Sequence, residues 1–164
     1  MSPEPVEGWP KTKKMKNRIK IKELKPKVGE EVIIAGWMHK FRNLGKVAFV
    51  VLRDNSGTVQ AVLNPNEIEI VKDIQVESVL KITGKVVATP KGDDVEVQAT
   101  QVEVLSAVKD MIPVEINKEE IDAHMDTIID HRPVTLRHAK QKAIFKIQAE
   151  IVHAYKNYMK NQGF

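Results

Sequence analysis

The sequence predicts a mainly β chain with C-terminal helices: a five-stranded barrel in the order β-β-β-α-β-β, a helical hinge, and one long amphipathic helix. Three observations predict it. Residues 31–105 hold five runs rich in β-branched and apolar residues, divided by turn-forming clusters. Two of those runs carry a glycine in mid-strand, Gly36 and Gly84, as strands do where a small barrel bends to close. Beyond residue 139 the apolar positions recur at steps of three and four, the period of a helix.

The first strand is expected over 31–41 (EVIIAGWMHKF), and Asn43-Leu44-Gly45 turns the chain. The second covers 47–53 (VAFVVLR), and Asp54-Asn55-Ser56-Gly57 has the chemistry of a tight hairpin into the third, 58–63 (TVQAVL). Residues 64–73, with Pro65 followed by Ile68, Val71 and Ile74, predict a short helix. The fourth strand, 77–88, contains Gly84; a turn over 90–94 leads to the fifth, 95–105. This is the order of the OB-fold, a partly open barrel that binds oligonucleotides on one face. A five-stranded sandwich shares the spacing, but the kinked strands and the helix between strands three and four favour the barrel.

Outside the barrel, residues 1–20 predict a basic, disordered leader, broken by Pro3, Pro5, Gly8 and Pro10. Residues 18–28 suit a helical turn or a short strand ended by Pro26 and Gly29. The barrel domain is placed at 21–106 and a hinge at 107–138, where Asn117 and Glu120 resemble a capping box for a helix over 118–129. Asp130-His131-Arg132-Pro133 interrupts it. The last helix, 139–164, carries Ala143, Ile144, Ile147, Ile151, Ala154, Tyr155, Tyr158 and Met159 as one stripe, with Gly163 as its C-terminal cap.

The net charge of +4 is unevenly placed. Residues 1–30 hold nine Lys/Arg and four Asp/Glu, so the remaining chain is close to neutral. A segment this basic, including Lys13, Lys14 and Lys16, either attracts a polyanion or serves as a solvated tail. The chain has no cysteine, which excludes disulfides and thiolate zinc sites and agrees with a reducing cytoplasm. Its apolar runs are too short to cross a bilayer, and its N-terminus lacks the apolar core of a signal peptide, so no membrane partner is expected. No phosphate-loop, dinucleotide or HExxH motif is present, and His39, His124, His131, His138 and His153 share no metal-ligand spacing. Catalytic and metal-binding residues are therefore not expected.

Nucleic-acid binding has a physical basis in the barrel. An OB face holds single strands by stacking bases on aromatic rings, with cations on the backbone. In Ala48-Phe49-Val50-Val51-Leu52-Arg53, residues 48, 50 and 52 form the continuous apolar set and should face the core. Phe49 then projects outward near Lys40, Arg42 and Arg53 as a stacking platform; with the opposite phase it is simply core. Gln60, a polar residue in a strand, either reads a base edge or is an ordinary exposed glutamine. Trp37 reads as packing.

At residues 35–63 (AGWMHKFRNLGKVAFVVLRDNSGTVQAVL), 81–87 (KITGKVV) and 125–151 (MDTIIDHRPVTLRHAKQKAIFKIQAEI), the chain resembles subgroup b of the class II aminoacyl-tRNA synthetases. The likeness extends over about residues 20–164. The aspartyl type matches first, the asparaginyl second and the lysyl third. The resemblance implies that Phe49 stacks on the middle anticodon base, that Gln60 and Glu96 bond anticodon base edges, and that Arg42 and Asn43 lie near the first base. Lys40, Arg53 and the leader lysines are assigned to the RNA backbone. An acid on such a face makes sense as an acceptor for a base amino group.

The resemblance departs at Ile128, His138 and Gln148, where the family often carries arginine. It also implies that catalytic motif 1 would begin just after Phe164, with motifs 2 and 3 outside the sequence. The expectation is anticodon recognition without amino-acid activation and without a cofactor in this chain, ATP and magnesium belonging to the catalytic domain. The expected partners are aspartate tRNA, asparagine tRNA as the second candidate, and a catalytic domain or homodimer partner. A free-standing OB protein for generic single strands is the alternative.

Overall fold

A computed structural model describes residues 17–89, 92 and 94–164. Lys13, Lys14 and Lys16 lie outside the described residues. The chain forms two compact units, one running to residue 73 and resuming over 78–107, the other made of 74–77 and 108–164.

The first unit is a closed barrel with strand order β1-β2-β3-β5-β4. Its strands are β1 (Glu31–Asn43), β2 (Ala48–Arg53), β3 (Thr58–Leu63), β4 (Val79–Ala88) and β5 (Val95–Ser106). Helix α1 (Pro65–Val71) lies between β3 and β4 in sequence, so the predicted order holds. Asn64 and Glu67 form the capping box of α1, and Pro65 occupies a first-turn position where a missing N–H costs nothing. All neighbouring strands are antiparallel except β3 and β5, which close the barrel in parallel.

Alternation drives the core. Ala48, Val50 and Leu52 of β2 are fully buried, as are Ala61 and Leu63 of β3, Leu80, Ile82 and Val86 of β4, and Val97 of β5. Strand β1 is long because it serves two neighbours: residues 31–37 pair with β4 and residues 37–43 with β2. The bend between these halves brings backbones together. A Cβ on Gly36 would sit 2.2 Å from the Arg53 carbonyl oxygen, and one on Gly84 would sit 2.3 Å from that of Gln98. No side chain fits at either point.

The first half of β1 has β4 on one side only, and the segment before it uses the open edge. Arg18 bridges Ile33 in parallel, and the Ile19 N–H donates to the Ile33 carbonyl at 3.0 Å. Arg18 and Ile19 are therefore paired with the barrel, although the sequence suggested a leader disordered through residue 20. Two short 3-10 turns follow, Ile21–Glu23 and Lys25–Lys27, burying Ile21 and Leu24. Pro26 lies inside the second turn instead of ending the segment.

Asp54 anchors these turns to the β2–β3 hairpin. Its Oδ2 accepts from the Ile21 N–H at 3.0 Å, while Oδ1 accepts from the Ser56 N–H, the Ser56 hydroxyl and the Gly57 N–H. Burial pushes this carboxyl up, but the hydrogen bonds from Ser56, Ile21 and Gly57 outweigh it and hold the group below the usual aspartate value.

In the second unit the helices are α2 (Met125–Asp130), α3 (Arg132–Thr135) and α4 (Ala139–Asn161). The helix expected over 118–129 is shorter than predicted and starts only after His124. Tertiary partners prevail over the capping-box pattern: Glu120 pairs with Lys140 at 2.6 Å, and the Lys118 carbonyl faces His138 Nε2 at 3.1 Å. His138 is buried and caps α4, its Nδ1 accepting from the Lys140 N–H at 3.3 Å. Those two bonds place the ring proton on Nε2. Buried Glu77 accepts from Arg137 Nη1 at 3.0 Å.

Helix α4 ends as predicted. Gly163 adopts φ +88°, the Phe164 N–H donates to the Met159 carbonyl, and the Gly163 N–H donates to that of Lys160. Ile144, Ile147, Ile151, Tyr155 and Tyr158 are all exposed. Among the described residues no helix is long and apolar enough to cross a membrane.

Gly36→Ala is expected to destabilise the barrel by at least about 1–3 kcal/mol, because the added methyl meets backbone that cannot rotate away; urea denaturation measures it. Asp54 gives a pH test. With its folded-state pKa depressed, its contribution is complete above the ordinary aspartate pKa and is lost as pH falls below it. Asp54→Asn should lower the urea midpoint at neutral pH and flatten that acid limb.

Candidate nucleic-acid interface

Register places the candidate residues. Paired residues on neighbouring strands share a face, so the outer surface can be followed strand by strand. One row runs Arg42, Phe49, Val62, Gln98, Lys85, taking one residue from each of the five strands. A second runs Lys40, Val51, Gln60, Glu96, Val87. A third begins Trp37, Arg53, Thr58. Continued one step past Lys85, the first row returns to β1 at Glu31, eleven residues before Arg42. The rows therefore climb steeply around the barrel, as closure with tilted strands requires.

Phe49 lies on the outer face with its ring half-buried, while Ala48, Val50 and Leu52 fill the core. The predicted phase of β2 is the observed one. Val51 and Val62, also half-buried, share the face of the ring. Arg42 is exposed directly across from Phe49, and Lys40 across from Val51.

Gln60 and Glu96 are paired across the parallel seam, and the Gln60 Nε2 donates to Glu96 Oε2 at 3.3 Å. The bond orients the amide and does not use the Gln60 Oε1 or the second Glu96 oxygen. One residue offers donor and acceptor and the other offers acceptors, a combination that discriminates base edges. Asn43 has a different part. Its Oδ1 accepts from the Gly45 N–H at 2.8 Å and shapes the turn that ends β1.

Arg53 does not stand free as expected of a backbone-binding cation. It is only 8% exposed, its Nη1 lies 3.0 Å from His39 Nδ1, and its guanidinium sits 5.8 Å from the centre of the Trp37 ring. Arginine can only donate, so His39 accepts through Nδ1. A register shift between Met38 and Lys40 turns His39 toward Arg53, and sequence alternation gives no sign of such a bulge. Arg53 braces the lower edge of the face. Gln98 and Lys85 were not singled out from sequence, although continuing the alternation from Glu96 to Gln98 would have found the first.

Residues 32–105 match the tRNA anticodon family of OB-fold nucleic acid binding domains. The barrel belongs to that family. The anticodon-binding domain and its flanking helices are 41% identical over 148 residues to an aspartate–tRNA(Asp/Asn) ligase of Thermus thermophilus, covering 90% of this chain and 34% of that protein. The corresponding ligase of Methanocaldococcus jannaschii is 37% identical over 149 residues. The chain thus spans about a third of the length of these relatives. Among solved structures, the asparaginyl-tRNA synthetase of Pyrococcus horikoshii bound to asparaginyl-adenylate aligns at a TM-score of 0.77 with 28% identity, covering 92% of this chain and 36% of that one.

The face assignment predicts unequal costs within one strand. Leu52→Ala should destabilise the anticodon-binding domain by about 2–5 kcal/mol, whereas Phe49→Ala should cost under about 1.5 kcal/mol. Chemical denaturation of the two variants checks the contrast.

Proposed function

We propose that this chain reads the anticodon of an aspartate tRNA, with asparagine tRNA as the second candidate, as the recognition module of an aspartate–tRNA ligase. The observation that carries the proposal is the half-buried Phe49 ring on the same face as the bonded Gln60–Glu96 pair, with exposed Arg42 and Lys40 alongside. An unpaired base stacks on the ring, and the two polar side chains test its edge. The cations attract the backbone without reading sequence. The likeness to ligases for these tRNAs supports the choice of RNA.

Within that reading each side chain has a role. Phe49 stacks on the middle anticodon base. Gln60 and Glu96 hydrogen-bond base edges, and Glu96 selects a base that presents an amino group. Arg42 and Asn43 border the first base, while Lys40, Lys13, Lys14 and Lys16 contact phosphate. Arg53 acts indirectly by fixing the edge of the face through His39 and Trp37. ATP and magnesium would be held by a ligase's catalytic domain, and this domain's part in the reaction involves neither. A catalytic domain or a second copy is the proposed cover for the apolar side of α4, and the cytoplasm the proposed compartment.

Binding of the chain to an aspartate tRNA anticodon stem-loop, followed by fluorescence anisotropy, tests the proposal. Affinity should fall steeply with salt, and Phe49→Ala should weaken binding by about 1–3 kcal/mol. Equal affinity for oligo-dT and the stem-loop would instead indicate generic single-strand binding. An unaltered affinity in Phe49→Ala would falsify the stacking role.

A further inference from the structure

The anticodon-reading residues occupy only part of the outer face. Beyond Val62 the first row continues onto β5 and β4 with Gln98 and Lys85, both exposed. Gln98 is two residues along β5 from Glu96 and shares its face, about 7 Å away along the strand. Across the sheet, Gln98 is two strands from Phe49 and Lys85 is three, roughly 10 and 14 Å at ordinary strand spacing. That distance suits the nucleotide next to one held at Phe49 and Glu96.

Two further features make the pair a binding position. Lys85 lies across from Glu31 in register, yet no ion pair or side-chain hydrogen bond engages it among the described residues. By contrast, Lys81, four residues earlier on β4, is bound to Glu103 at 2.7 Å. The backbone beneath Gln98 and Lys85 is also firmly located, because Gly84 brings β4 against the Gln98 carbonyl too closely for any Cβ. The result is an amide and an ammonium with no side-chain partner among the described residues, beside each other on fixed strands, at the end of a row that begins with the cation Arg42.

We infer that Gln98 and Lys85 form a second nucleotide position on the β5–β4 side of the barrel. The Gln98 amide bonds the edge of the nucleotide flanking the ring-stacked base, and the Lys85 ammonium neutralises its phosphate. The assignment rests on the proposed RNA-binding reading and extends it to a specificity residue and a phosphate contact. Amide and ammonium differ in what they can read. Gln98 should affect base preference at the flanking position, while Lys85 should affect affinity uniformly across sequences.

The test uses the chain with anticodon stem-loop RNAs that differ at the nucleotides flanking the middle anticodon base, with affinity measured between low and moderate salt. Lys85→Gln should lower affinity roughly three- to tenfold and reduce the slope of log affinity against log salt by about 0.7, one single-strand phosphate contact. Lys85→Arg should keep the wild-type slope. Gln98→Ala should leave the slope alone and flatten discrimination at one flanking position. Both residues are exposed, and an unchanged urea midpoint confirms that each variant is folded. A wild-type slope in Lys85→Gln, or unchanged discrimination in Gln98→Ala, overturns the inference while Phe49→Ala still impairs binding. If Phe49→Ala binds like the wild type, the parent reading fails and takes this position with it.

Discussion

The contact of backbone with backbone at Gly36 against Arg53, and at Gly84 against Gln98, is the constraint on which the barrel is organised. Five strands enclose a core only if they tilt and coil strongly, and at these two places they do so without room for a side chain. Each approach also bears on the outer face. The first sets Arg53 beside Trp37 and His39, and the second sets Gln98 beside Lys85. Core closure and surface placement are consequences of the same bends.

The outer face combines groups with separate physical tasks. Phe49, Val51 and Val62 supply apolar area, the Gln60–Glu96 pair supplies directional hydrogen bonding, and Arg42 and Lys40 supply undirected attraction. A carboxylate among cations weakens a face's general attraction for anions, so Glu96 supplies direction where Arg42 and Lys40 supply only charge. Arg53 shows the opposite arrangement. A cation held by histidine and indole is ordered and mostly withdrawn from solvent, which makes it a support for the face.

Periodicity made most of the barrel legible. The apolar set Ala48, Val50, Leu52 fixed the phase of β2, and the turn residues 54–57 located the hairpin to the residue. Where a residue's partner is distant in sequence, pattern was uninformative. Residues 118–124 have a helical signature, but Lys140 engages Glu120 and His138 engages the Lys118 carbonyl, so the chain is irregular there. Arg18 and Ile19 resemble the polar leader before them until the open edge of β1 is known. The bulge that turns His39 toward Arg53 is a property of two strands together, and a single strand's alternation cannot report it.

The alternation of β2 has an implication for misfolding. Sliding this strand by a single position against its neighbours would carry Phe49 into the interior and expel Val50 and Leu52 into water. The barrel would lose its packing in the same movement that removed the ring from the outer face. A mispaired form that kept this outer face is thus unavailable to this sequence, and any molecule that presents the ring outward has also paired its strands correctly.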